Sequence, residues 1–356
     1  MEPDMPPSRR DFLATLGAGI SGAALADDRA AREQKLGQPL GLVLESYHIR
    51  ARIERASGFT DPLNFLAFCH ERGAAGLQLP IGVRDGEYRK TLRAKIDEFG
   101  MYLEGSIRMP KDKADAERIE EEMRTAKEVG ATVVRTVMLG GRRYETFKKA
   151  EEFSAFKERS WRSLQLAEPI VARLKMRLAV ENHKDYRAAE LVDVMRRLSS
   201  EHVGVTVDTG NNIALLDDPM ETVKALAPYA FSCHLKDMAV EERSDGFLLA
   251  EVPLGEGFLD LPAIVQTLRQ AHPEVRLNLE MMTRDPLVIP CLTDGYWATF
   301  GDVPGRDLAR TLAMVRKQAR KERLPKITLL SQAEQLDTEE QNVRQSFRYA
   351  REKLRL

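Results

Sequence analysis

The sequence predicts an α/β fold, a (β/α)8 barrel followed by a C-terminal helical extension, on three observations. Eight short β-rich segments recur at intervals of roughly 33 residues, the size of one β-α unit, with helical patterns between them. In the later segments apolar residues occupy one parity and polar residues the other, so one face can pack on helices while the other looks at an axis. Nothing like a Gly-x-Gly-x-x-Gly turn follows the first segment, which counts against a doubly wound open sheet.

The strands are expected at 40–47, 75–80, 102–109, 132–138, 177–183, 203–208, 231–236 and 276–281. Asp61-Pro62 opens a helix with a capping carboxylate and a first-turn proline. A charged, periodic helix over 113–129 is stopped by Gly130. The stretch 147–175 is one kinked helix or two, because Pro169 lies within it. Asp218-Pro219 and Asp260-Leu261-Pro262 open two more, and 306–321 is the eighth, broken by Pro325. In the extension Thr338 and Gln341 read as a capping box. Val343, Phe347, Ala350 and Leu354 then form a stripe for the outside of the barrel or for a dimer contact in a homo-oligomer.

Of 356 residues, 54 are Lys or Arg and 55 Asp or Glu, a net charge of −1 that offers no basic excess for nucleic acid. No apolar run approaches the ~20 residues of a membrane span, so no stable membrane anchor is expected. The N-terminus has a different character. Ser8-Arg9-Arg10-Asp11-Phe12-Leu13 leads into a mildly apolar stretch that ends in Ala24-Leu25-Ala26. That order of cations, core and small residues resembles a twin-arginine export signal over 1–26, which implies the twin-arginine machinery as a partner and a periplasmic or exported location. The barrel is expected over 38–320 and the extension over 321–356. Three widely spaced cysteines, Cys69, Cys233 and Cys291, are expected as thiols, with room for one disulfide in an exported protein.

Parity sends four chemically demanding side chains inward at the ends of strands five to eight: Glu181, Asp208, His234 and Glu280. Three carboxylates and an imidazole suit one fairly hard divalent ion, Mn2+ first, with Mg2+, Co2+ or Zn2+ as alternatives. Without a cation such carboxylates repel, and at least one would bind a proton. Lys236 and Arg135 are candidates to hold a substrate oxygen, or else to form ion pairs within the barrel. His183 and His48 stand at strand ends as further substrate-facing candidates, and Asn211 joins the substrate-binding set. Trp297, with Tyr296, lies in a long segment that could cover a sugar with aromatic surface. Glu104, Ser106 and Arg108 share one face of the third strand as an expected structural network.

Four motifs in order carry a family resemblance. Val180-Glu181-Asn182-His183, Val207-Asp208-Thr209-Gly210-Asn211, His234-Leu235-Lys236-Asp237 and Leu279-Glu280 resemble the successive motifs of the xylose-isomerase-like sugar phosphate isomerase/epimerase superfamily. The resemblance implies a TIM barrel with one Mn2+-type ion on Glu181, Asp208, His234 and Glu280. It also implies Glu181 and Glu280 as an acid/base pair that moves a proton through an enediolate. Loss of a β-oxygen from the same enediolate would make a lyase or dehydratase of a keto-sugar or keto-glycoside. A silent sugar-binding barrel is a third reading. A multi-zinc endonuclease is disfavoured by the six histidines and the near-zero charge. Asn211 and Val240 stand where ketose 3-epimerases tend to carry His and Arg, which points to a different sugar or sugar derivative. An exported enzyme also meets few sugar phosphates, so a non-phosphorylated sugar, a keto-sugar or an oxidised glycoside is expected.

Overall fold

The computed structural model describes residues 39–356; the export-signal reading of 1–26 lies outside them. In chain order the strands are β1 (Gly41–Val43), β2 (Gly76–Leu79), β3 (Tyr102–Ser106), β4 (Val133–Thr136), β5 (Arg177–Glu181), β6 (Val203–Asp208) and β7 (Ala230–Leu235). A hairpin of β8 (Asp237–Arg243) and β9 (Gly246–Val252) follows, then β10 (Arg276–Leu279) and the short β11 (Leu287–Ile289). Strands β1 to β7 and β10 close an eight-stranded parallel barrel, sealed where β1 pairs with both β2 and β10.

Alternation builds this barrel directly. Leu178 and Val180, Val203, Val205 and Val207, Cys233 and Leu235, and Leu277 and Leu279 all point outward into the main apolar core. Burying each aliphatic side chain there contributes about 1.5–3 kcal/mol. The helices begin where the capping carboxylates predict. Asp61, Asp218 and Asp260 accept the N–H groups of Leu63, Glu221 and Ala263 at 3.0, 2.9 and 3.1 Å, each ahead of a first-turn proline.

Several boundaries differ from the sequence expectation. The first strand stops at Val43, and Leu44–Tyr47 turns into a 3-10 helix that runs on into the helix His48–Ile53. Ser46 takes over from the strand ladder, donating to the Leu279 carbonyl and accepting from the Met281 N–H, both at 3.0 Å. His48 therefore opens a helix and does not end a strand. Strand β3 ends at Ser106, and Arg108 is exposed rather than part of an inward network. Ala150–Leu174 is one continuous helix with Pro169 inside it. The helix Gly305–Gln318 ends well before Pro325. Ser331, not Thr338, forms the capping box with Glu334, and Thr338 and Gln341 lie inside the helix Gln332–Tyr349. All three cysteines are buried free thiols.

Two additions frame the barrel. The β8–β9 hairpin leaves directly from the C-terminal end of β7 and pairs with β11 in a three-stranded sheet. Phe247, Leu249, Ile289, Tyr296 and Phe300 form a second core beneath it. In the extension, Val343, Phe347, Ala350 and Leu354 join the main barrel core. Glu339 from the same helix accepts the N–H groups of Ile49 and Arg50 at 2.7 and 3.0 Å, which caps the helix His48–Ile53 from outside. Among the described residues no helix is long and apolar enough to cross a membrane.

Candidate metal centre

Two polar layers stack on the barrel axis. In the lower one Glu104 Oε2 accepts hydrogen bonds from Gln78 Nε2 at 2.8 Å, Ser232 Oγ at 2.7 Å and Asn278 Nδ2 at 3.1 Å. Committing its amide N–H to Glu104 leaves Gln78 with Oε1 turned upward. That oxygen accepts from His234 Nε2 at 2.7 Å. A proton on Nε2 means that Nδ1 offers its lone pair to the upper layer.

The upper layer lies at the C-terminal strand ends, where barrel enzymes assemble their chemistry. One ligand atom each from Glu181, Asp208, His234 and Glu280 lies within 4.8 Å of the other three, and all four residues are buried. His234 Nδ1 stands 3.5 Å from Glu181 Oε2 and 3.4 Å from Glu280 Oε2, and it has no hydrogen-bond partner. Asp208 Oδ2 turns to the Lys236 ammonium at 3.0 Å, whereas Oδ1 is anchored by the N–H groups of Gly210 and Asn211 at 2.9 and 2.8 Å. A buried imidazole lone pair without a donor, facing carboxylates that converge on it, is what a divalent cation with oxygen and imidazole ligands would engage. The group could therefore hold a metal ion.

The charges agree with that fit. Burial raises the pKa of Asp208, and the neighbouring Glu181 and Glu280 add to it, against the pull of Lys236. Burial works against a proton on His234, but Glu280 and Glu181 outweigh it and raise the pKa of the ring. The pocket thus asks for positive charge at Nδ1. Glu280 is held well below the usual carboxylate range: burial opposes its charge, but Lys236 and His234 prevail. Glu181 is lowered in the same way, with Arg135 overcoming burial.

Of the residues picked out in the sequence, Arg135, Asn211 and Lys236 join this cluster. Arg135 Nε donates to Glu181 Oε2 at 2.6 Å, and Asn211 Nδ2 donates to Glu181 Oε1 at 2.9 Å. Lys236 Nζ sits 2.5 Å from Glu280 Oε2 and 3.0 Å from Asp208 Oδ2. His183 lies beyond the end of β5, with Nδ1 2.9 Å from the Leu139 carbonyl oxygen. Burial lowers its pKa to about 4 despite Glu181, so it is neutral at pH 7. His48 is half-buried, with Nδ1 3.6 Å from Glu339 Oε1. Burial and Arg284 lower its pKa. Trp297 is apart from the cluster. Its Nε1 donates to the Cys291 carbonyl at 2.9 Å and its ring packs edge-on to Tyr296 and Phe300.

Sequence reasoning missed several neighbours. Glu251, on β9, approaches Lys236 Nζ at 3.3 Å and accepts from Arg284 at 2.8 Å and the Met282 N–H at 2.7 Å. Burial opposes its charge, and Lys236 and Arg284 overcome that and lower its pKa. Glu45 enters from the 3-10 turn after β1; burial raises its pKa, opposed by Arg135. Asn182 ties the tips of β5 and β6 together, accepting the Asp208 N–H and donating to the Asp208 carbonyl, both at 2.8 Å. Gln78 was legible by parity, as an inward polar residue on the second strand. Glu251 and Arg284 were not, because nothing local links a hairpin to a site on the barrel axis.

Comparison with known families decides where this arrangement belongs. Residues 66–317 match the family model described as "Xylose isomerase-like TIM barrel". The chain belongs to that family. Among curated relatives of this xylose isomerase-like protein, the 3-oxo-isoapionate decarboxylase of Pectobacterium atrosepticum is 28% identical over 114 residues, 32% of this chain and 42% of that protein. The match thus spans less than half the length of that relative. Among solved structures, a xylose isomerase-like TIM barrel protein from Mycobacterium smegmatis in complex with magnesium has a TM-score of 0.53 at 14% identity. That similarity covers 77% of this chain and 98% of the other. An L-ribulose 3-epimerase has a TM-score of 0.52 at 14% identity, covering 80% and 99%. At such identity the structures show a shared fold.

Proposed function

We propose that this xylose isomerase-like barrel is a divalent-metal-dependent isomerase or epimerase of a sugar or keto-sugar. The observation that carries the reading is the convergence of four ligand atoms on one point: His234 Nδ1, without a hydrogen-bond partner, faces Asp208 and two glutamates held ionised. Glu181, Asp208, His234 and Glu280 would hold the ion, Mn2+ or Mg2+ by the hardness of the donors. When bound, the cation would steady the negative charge that a substrate carbonyl gains on deprotonation of its neighbouring carbon.

The chain's own groups divide the remaining work. Glu280 engages Lys236 and His234 through Oε2, which leaves Oε1 to take a proton from a substrate carbon. Glu181 is clamped through both oxygens by Arg135 and Asn211 and held ionised, so it acts as the acid of an inversion only after taking up a proton from solvent; the proton that Glu280 removed stays on Glu280 for return to the adjacent carbon. Return to the opposite face of the same carbon inverts it; return to the adjacent carbon isomerises. Lys236 holds Glu280 ionised, and the β8–β9 hairpin holds Lys236 through Glu251.

A lyase on the same site is the second reading, favoured by the decarboxylase among the relatives. Metal analysis of the purified protein, coupled to a solvent-deuterium screen over sugars and 3-keto-glycosides, tests both. Deuterium entering recovered sugar without loss of water, carbon dioxide or aglycone supports the isomerase. Release of such a fragment supports the lyase, and binding without exchange supports the silent barrel. We also propose export through residues 1–26. Cell fractionation checks it: changing Arg9 and Arg10 to Lys together should retain the protein in the cytoplasm, and a wild-type protein already confined there refutes it.

A further inference from the structure

We propose that Lys184 binds a carboxylate of the substrate, which makes the substrate class an acidic sugar, a uronate, an aldonate or a keto derivative of one. This assignment rests on the sugar-isomerase reading above and extends it to a residue outside the metal cluster.

Lys184 is 4% exposed, and its ammonium donates to one neutral acceptor, Asn211 Oδ1. No carboxylate of the described residues forms an ion pair with it. The other cations of the barrel mouth are paired: buried Lys236 with Asp208, Glu251 and Glu280, and the partly buried Arg135 with Glu181 and Arg284 with Glu251. A buried charge without a counter-charge is costly, and chains normally pair it or neutralise it. Burial, with repulsion from Lys236 and Arg284, outweighs the attraction of Asp208 and Glu251, which lie beyond ion-pair distance, and lowers the pKa of Lys184 to about 8. An anion beside it would reverse that shift.

The backbone shows that this placement is enforced. Lys184 has φ +67°, the left-handed region that disfavours a non-glycine residue. The turn is locked on both sides. The Lys184 carbonyl accepts the Arg143 N–H at 3.0 Å, and the Asp185 carboxylate accepts the N–H groups of His183 at 3.3 Å and Tyr186 at 2.8 Å. The strained turn delivers the ammonium to Asn211, whose amide N–H holds Glu181 Oε1. Lys184 is thus one side chain away from a proposed acid/base glutamate. A sugar hydroxyl in that place would be served by the neutral Asn211. An unpaired ammonium calls for an anion, and a single one suits a monoanionic carboxylate better than a phosphate dianion, which draws on several donors or an Arg fork.

Calorimetric titration of the Mn2+-loaded full-length chain tests the assignment with matched probes: D-glucuronate against D-glucose, D-gluconate against D-glucitol, and D-glucose 6-phosphate as a third arm. Each carboxylate should bind at least about tenfold more tightly than its neutral partner, the worth of one charge-assisted hydrogen bond. Lys184→Met should bring that ratio to near unity with bound metal and melting temperature not reduced, and Lys184→Arg should restore part of it. Equal affinity within each pair, no binding of either carboxylate, a preference for the phosphate, or a preference that survives in Lys184→Met overturns the proposal. Deuterium exchange on a neutral sugar without carboxylate preference keeps the isomerase reading and removes this one. Lys184-dependent carboxylate binding without exchange on any acidic sugar does the reverse.

Discussion

The two polar layers on the barrel axis make an instructive pair. Both are buried and both come from alternate residues of the same strands: Ser232 and His234 on β7, and Asn278 on β10 with Glu280 just past its end. In the lower layer one carboxylate oxygen collects three neutral donors. In the upper layer three carboxylates converge on an imidazole nitrogen that has no partner. The difference is what separates a polar network that specifies packing from one that awaits a ligand. Gln78 joins the layers by turning its amide group to one and its carbonyl to the other.

Breaking the upper layer should have the largest effect. Glu280→Gln or Glu181→Gln should lower solvent-deuterium exchange by about 10²–10⁴-fold, the range of a general acid or base, with the far-UV spectrum unchanged. Wild-type rates in either variant would remove that glutamate from the chemistry. Asp208→Ala should empty the site, and elemental analysis that finds unchanged metal content would exclude Asp208 as a ligand. Next comes the joint between layers. Gln78→Leu frees His234 Nε2 and should weaken metal binding about 10–100-fold while the other three ligands remain. Metal titration with unaltered affinity would show that His234 needs no such orientation.

In the lower layer, Glu104→Ala strands the donors of Gln78, Ser232 and Asn278 and should cost about 1–3 kcal/mol of stability by denaturant unfolding. The bound ion should be less affected than in Gln78→Leu; the opposite order would dissolve the distinction between the layers.

The smallest effect lies outside both, at the C-terminal helix. Burial raises the Glu339 pKa from 4.5 to about 7, against the N–H groups of Ile49 and Arg50. Because the folded value is the higher one, the folded state keeps a proton that the unfolded chain has lost. The associated stability is complete below pH 4.5 and fades as pH rises to about 7. Glu339→Gln should flatten that part of the profile between pH 4.5 and 7. A slope identical to wild type would assign the pH dependence elsewhere.

Much of this molecule was legible because strand alternation is a local property. A period of two sorts Val203, Val205 and Val207 from Thr206 and Asp208 without knowledge of any partner, and four such strands predict a shared axis. The helix starts at Asp61, Asp218 and Asp260 were equally local, since each cap acts within three residues of itself. The end of β1 was not. Residues 40–47 have strand-like composition, yet Ser46 bonds to backbone more than 230 positions away and turns the chain toward the mouth. The capping box was displaced for a different reason: Thr338 and Gln341 fit the pattern, but Ser331 and Glu334 fit it about two turns upstream, where the chain enters the helix.

The sequence by itself determined the barrel, the inward set Glu181, Asp208, His234 and Glu280, and the buried stripe of the C-terminal helix, because each rests on spacing along one element. Tertiary structure alone decided the company these residues keep. Glu251 reaches Lys236 from a hairpin and Arg284 reaches Glu251 from a loop, Glu45 enters from a turn in place of a strand, and Trp297 is drawn into the second core. Whether a buried charge finds a counter-charge depends on distances between segments remote in sequence, and Coulomb energy at short range in a poorly polarisable interior makes those distances decisive. Lys236 ion-pairs with three carboxylates; Lys184, in the turn after β5, ion-pairs with none among the described residues.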